Sequence, residues 1–110
     1  MSDDDFAAAV TAYLDCAVWT ESSDRSVWDP ELRAYGRVAV ATFSHSVCDI
    51  LPTYWQHATP DQLGHDLWLT RHSHGAGFWD RGLPGTLGEV LSREARAMGD
   101  DDDILSVLCP

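Results

Sequence analysis

The chain has 110 residues and carries 18 acidic against 7 basic side chains, a formal net charge of -11 and a pI near 4.4. That length excludes a second cored unit, so residues 1–110 read as one domain, and 45% hydrophobic residues exclude wholesale disorder. All basic residues are arginines without a basic cluster, which excludes direct nucleic-acid binding and favours a partner protein with a basic surface, although solubility or salt adaptation accounts for the same acidity.

In chain order, Asp3, Asp4 and Asp5 complement the dipole of a first helix, with Phe6, Val10, Tyr13, Leu14 and Ala17 following at helical spacing until the polar stretch "TESSD". Asp29-Pro30 predicts a second helix, with Leu32, Tyr35, Ala39, Phe43, Val47 and Ile50 on one stripe and a break at Pro52. "TPDQLG" reads as a short helical turn capped by Thr59, begun by Pro60 and ended by Gly64. Residues 65–82 have no clean polar face, and two aromatic segments flank a glycine-rich loop, so they predict a hairpin with strands near 66–71 and 76–80. A third main helix is expected from Leu87 to Met98, capped by Thr86 and stopped by Gly99, and "ILSVL" predicts a final strand on the hairpin edge. The expected fold class is α+β: three main helices packed on a small antiparallel sheet made of the hairpin and the C-terminal strand.

Cys16, Cys48 and Cys109 form an odd set without CxxC spacing, which points to reduced thiols and away from a disulfide framework or zinc ribbon. The acidic start "MSDDDFAAAV" lacks the positive charge of a signal peptide, and no apolar run reaches membrane-spanning length. The expected location is therefore the cytoplasm, with no membrane partner.

"HSHGAGFWDRG", residues 72–82, concentrates the residue types that carry chemistry. "HGAGF" resembles an esterase oxyanion loop, but no GxSxG nucleophile elbow accompanies it. A metal-assisted hydrolase would need His72, His74 and Asp80, with His65 and Asp66 as further ligand types; an HxH pair without a firm third ligand is a weak signal, and no cofactor or metal is expected. Asp100, Asp101, Asp102 and Asp103 lack the EF-hand spacing and read as an acidic surface. Two readings of the loop stay open. Glycines and aromatics could simply build a tight turn, or the density of polar groups beside aromatics could mark an interaction patch of His65, Asp66, Trp68, Arg71, His72, His74, Phe78, Trp79, Asp80 and Arg81.

The stretch "GHDLWLTRHSHGAGFWDRG", residues 64–82, resembles the GHDFWLTRNGHGAGFWDRG motif of a family of small acidic proteins from bacteriophages and other mobile elements, whose function is not established. "CAVWTESSD", residues 16–24, is similar to that family's amino-terminal segment. This chain has Arg-His-Ser-His where an Asn-Gly turn is usual. The resemblance implies a non-enzymatic accessory protein acting inside a host cell, of the kind that inhibits host defence as anti-CRISPR, antirestriction or DNA-mimic proteins do. Its partner would be a host protein with a basic surface.

Overall fold

The Asp5 amide donates to Ser2 Oγ at 3.1 Å and opens α1 (Asp3–Thr20), whose first turn holds three aspartates at the positive end of the helix dipole. The fold is seen in a computed structural model that describes residues 1–72 and 75–109. Asp29 caps α2 (Pro30–Ser46) by accepting the Glu31 and Leu32 amides, with Pro30 in the first turn. The chain then turns through Val47 into α3 (Leu51–Tyr54), so Pro52 sits in a helical first turn. Thr59 caps α4 (Pro60–Arg71) through the Gln62 amide. A short 3-10 turn (Phe78–Asp80) leads to α5 (Leu87–Ala97), and the Asp101 carboxylate caps α6 (Asp102–Leu108) by accepting the Ile104 amide at 3.2 Å.

The fold is helical, and the α+β expectation is corrected: the described residues contain no strand. Residues 66–71, expected as the first hairpin strand, form the second half of α4; Phe78, Trp79 and Asp80 form the 3-10 turn; and "ILSVL" lies within α6. The physical reason is burial. Leu63, Gly64, Asp66, Leu67, Trp68, Leu69 and Thr70 are all buried, so α4 has almost no polar face for the amphipathic pattern to report. Gly64 does not end the helix either. A Cβ there would lie 2.0 Å from the Ala9 carbonyl oxygen, so this glycine lets α1 and α4 cross in backbone contact. Thr86 precedes α5 as expected but makes no side-chain cap, while Gly99, at φ 70°, lies just past its end.

The α1–α4 pair is the most extensive helix contact, and the other helices close around it. At its centre Trp68 is fully buried, donates its indole N–H to Thr20 Oγ1 at 2.8 Å and meets Tyr13 edge-on at 5.4 Å. A second aromatic cluster stacks Phe78 on Phe43 at 5.4 Å and sets Tyr54 edge-on to Phe78 at 5.9 Å, which fastens the 3-10 turn to α2 and α3. The radius of gyration, 13.0 Å, is that of one compact body of this length. Among the described residues no helix is long and apolar enough to cross a membrane.

Candidate functional site

Asp66 points into the core from α4 with its side chain 1% exposed, and Arg81 reaches back across the return loop to meet it. Arg81 Nε lies 3.1 Å from both carboxylate oxygens and Nη2 lies 2.6 Å from Oδ1, a forked pairing that neutralises the buried charge. Its surroundings are chemically quiet. Burial first, then the Asp66 and Asp15 charges, push the Cys16 thiol up to about 12, so it stays protonated at neutral pH. Burial followed by Asp66 likewise raises the Tyr54 phenol, and its hydroxyl has no hydrogen-bond partner among the described residues.

A second network joins α1, α4 and the segment before α6. The Tyr13 hydroxyl donates to Asp101 Oδ2 at 2.5 Å, and Arg71 Nη1 donates to the Tyr13 oxygen at 2.9 Å and to Asp101 Oδ2 at 3.2 Å. Arg71 also donates to the Gly99 and Met98 carbonyls at 2.7 and 3.4 Å, so its side chain, only 7% exposed, clamps the end of α5. Burial, with the Asp101 charge second, holds the Tyr13 phenol well above its usual range. Next to it His72 stacks on Trp68 at 3.8 Å. The Asp101 amide donates to His72 Nε2 at 2.9 Å, which leaves the proton on Nδ1, 2.9 Å from the Trp68 carbonyl oxygen. Burial lowers the His72 pKa and so favours this neutral ring.

The return loop is fixed by the same motif. The Phe78 amide donates to Thr70 Oγ1 at 3.3 Å, and Asp80 Oδ1 accepts the Gly77 amide at 3.1 Å. Gly77, at φ 154°, has no room for a side chain, since a Cβ would lie 2.2 Å from Thr70 Oγ1. Trp79 lies outside the core, 40% exposed, with the Arg96 guanidinium 4.8 Å from its ring centre.

Of the expected interaction patch, therefore, Asp66, Trp68 and Phe78 are buried, and Arg71 and His72 are committed inward. His65, Trp79, Asp80 and part of Arg81 face outward. His74 lies outside the described residues. Among the described residues the ligand types proposed for a metal do not converge: both His72 nitrogens are engaged, Asp66 is held by Arg81, and Asp80 braces Gly77. No group of three ligand side chains able to hold an ion occurs among the described residues. In the acidic run, Asp100, Asp102 and Asp103 are exposed whereas Asp101 is buried as a cap and ion-pair partner.

Sequence reasoning placed Tyr13 on a core stripe but missed its link to Asp101, which lies 88 positions away. It also missed Trp19 and Trp28 as surface features, although they are 76% and 67% exposed. The available signal was that Trp19 lies off the apolar stripe of the first helix and Trp28 ahead of the second. Compared with protein-family models, curated proteins and solved structures, the chain matches none.

Proposed function

We propose that this is a non-enzymatic binding protein whose partner is a protein with a basic, nucleic-acid-handling surface, and that it serves as a phage or mobile-element accessory protein that inhibits host defence. The observation that carries the reading is where the charge lies. The motif arginines Arg71 and Arg81 are paired with Asp101 and Asp66, so the acidic surplus of -11 is left to the remaining side chains. Asp100, Asp102 and Asp103 are exposed together at the start of α6. A field of that sign speeds encounter with a basic surface and repels phosphate backbones. Asp66, His72 and Asp80, residue types that suggested catalysis, support the same reading, because each is engaged in holding the fold together. The resemblance of residues 64–82 to proteins of mobile elements supplies the biological setting.

The experiment is affinity capture from host extract at about 50 mM and about 500 mM salt, with double-stranded DNA as competitor. The expected result is retention of a basic nucleic-acid-handling protein at low salt, released by high salt and by DNA. Direct binding of DNA to the chain, or no retained protein at either salt, overturns the proposal.

A further inference from the structure

The solvent face of α1 lies at the bottom of a channel. Ala8, Ala12 and Asp15 form its floor, Trp28 and Arg33 stand on one side and Asp61 on the other, enclosing about 360 Å³. A second hollow of about 520 Å³ continues from it, sharing Ala12 and Asp61 and running past His65 to the Asp66–Arg81 pair. Trp19 follows Asp15 by four residues on the same helix, so it stands at the end of the same face. Trp28 thus stands in the channel wall and Trp19 on the same helix face beyond its lining, and they are the two most exposed tryptophans of the chain.

Neither indole is exposed for lack of a core, since Trp68 is buried completely. Trp28 is also held in place: its amide donates to Ser26 Oγ at 3.1 Å, and the Arg33 guanidinium lies 4.7 Å from its ring centre while donating to Thr11 Oγ1 at 2.8 Å. A large aromatic side chain fixed before binding loses little entropy when covered, and tryptophan is the residue type most enriched at binding hot spots. The charge of the channel selects the occupant. Asp15 and Asp61 form no ion pair among the described residues and outnumber Arg33, which keeps its positive charge while it donates to Thr11 and lies over Trp28, and the whole molecule adds its negative field.

We propose that this channel, with Trp19 and Trp28 as anchors and Asp15 and Asp61 as charge partners, is the docking site for a cationic amphipathic helix of a partner protein. The inference rests on the basic-partner reading above and assigns it a surface centred on α1, whose far end borders the 65–82 segment at His65, Asp66 and Arg81. The apolar side of such a helix covers the indoles and the alanine floor, while arginine or lysine side chains along its edges reach Asp15 and Asp61.

The test uses the intact protein and a synthetic amphipathic helical peptide of about 18 residues, long enough for five turns, with leucine on one face and arginine on the other. A glutamate-for-arginine version of the peptide serves as the control. Binding is followed by tryptophan fluorescence and calorimetry. The Asp15→Asn/Asp61→Asn pair is compared with Asp102→Asn/Asp103→Asn, which removes the same formal charge elsewhere. Channel neutralisation should weaken binding about fivefold more than the α6 pair, and Trp19→Ala/Trp28→Ala should weaken it at least about tenfold. Ala12→Arg, which places bulk and positive charge on the floor, should abolish binding and tests the same surface if the tryptophan variant is unstable. Equal weakening by the two neutralised pairs, or full binding by the Ala12→Arg variant, overturns the channel while leaving the basic-partner reading standing. Failure of the unaltered protein to bind the arginine peptide, or equal binding of the glutamate peptide, also overturns the channel; the broader reading is overturned separately, by the outcomes of the capture experiment.

Discussion

At Gly64 an added Cβ would run into the α1 backbone: the Ala9 carbonyl oxygen at 2.0 Å, the Ala9 carbonyl carbon at 2.9 Å and the Tyr13 nitrogen at 2.9 Å. None of these atoms can rotate away, so Gly64→Ala must separate α1 from α4. Alanine returns about 1 kcal/mol of helix propensity, but overpacking outweighs it, and a net loss of at least about 2 kcal/mol is expected. Thermal unfolding should show a midpoint lower by about 8 °C. Gly36→Ala is the contrast, because its nearest atoms are side-chain carbons of Leu14 and Val10 at 3.1 to 3.2 Å, which can shift; its cost should stay below about 1 kcal/mol. His72 gives a pH prediction. Its ring faces the Trp68 carbonyl, Arg71, Asp100 and Asp101, and burial wins among them, holding its folded pKa below the ordinary 6.5. The unfolded chain therefore takes up the proton more readily than the folded one. Stability from the neutral ring is full above 6.5 and is lost as pH falls from there through the folded value. Protonation also removes the acceptor for the Asp101 amide. The urea midpoint should fall between about pH 7.5 and pH 5.5 for the natural protein and fall less for His72→Gln; parallel profiles would show that another group governs that range.

The Asp66–Arg81 pair ties α4 to the return loop, and its two ends are unequally placed, 1% and 33% exposed. Arg81→Met leaves a carboxylate buried without its partner. A broken buried pair costs about 3 to 5 kcal/mol, and partial exposure of Arg81 reduces the expected loss to about 2 to 3 kcal/mol. Asp66→Asn/Arg81→Met removes the stranded charge and should recover a good part of that loss, so a double-mutant cycle by chemical denaturation should give a clear coupling energy. Additive single effects would show that the pair does not hold the loop. These same elements show what was legible beforehand. Asp29-Pro30 and Thr59-Pro60 announced two helix starts because capping is local chemistry, written within three residues. The sheet was misread because α4 is buried on nearly all sides, which erases helical periodicity, and because Gly64 serves a helix crossing while looking like a stop. The polar density of residues 65–82 was visible. Its direction was not, since Asp66 finds Arg81 fifteen positions away and Arg71 finds Tyr13 and Asp101 across 58 and 30 positions.

Over the whole molecule, opposite electrostatic tendencies compete, and their balance can be read from salt. Local attractions include the Arg25–Asp29 contact at 2.7 Å, the aspartates in the first turns of α1 and α6, and the two inward pairs of Arg71 and Arg81. The Arg71–Asp101 pair is sheltered from salt and the Arg81–Asp66 pair partly so, whereas the exposed contacts among the described residues are few and individually weak. Against them stands the mutual repulsion of the outer carboxylates in a body whose longest dimension is 40 Å. Two like charges about 20 Å apart in water repel by only about 0.2 kcal/mol, but the acidic excess repeats that term over many pairs. Ions screen such distances almost completely, since the screening length is about 10 Å at 0.1 M. Repulsion is therefore the larger salt-sensitive quantity, and sodium chloride should stabilise the fold. The thermal midpoint should rise between about 20 mM and about 300 mM salt, with most of the gain in the lower half of that range. Asp102→Asn/Asp103→Asn should reduce the gain by lowering the charge density near α6. A midpoint that falls with salt would mean that exposed ion pairs and helix-terminal charges outweigh the global field, and it would weaken the case that the acidic surface exists for a partner to neutralise.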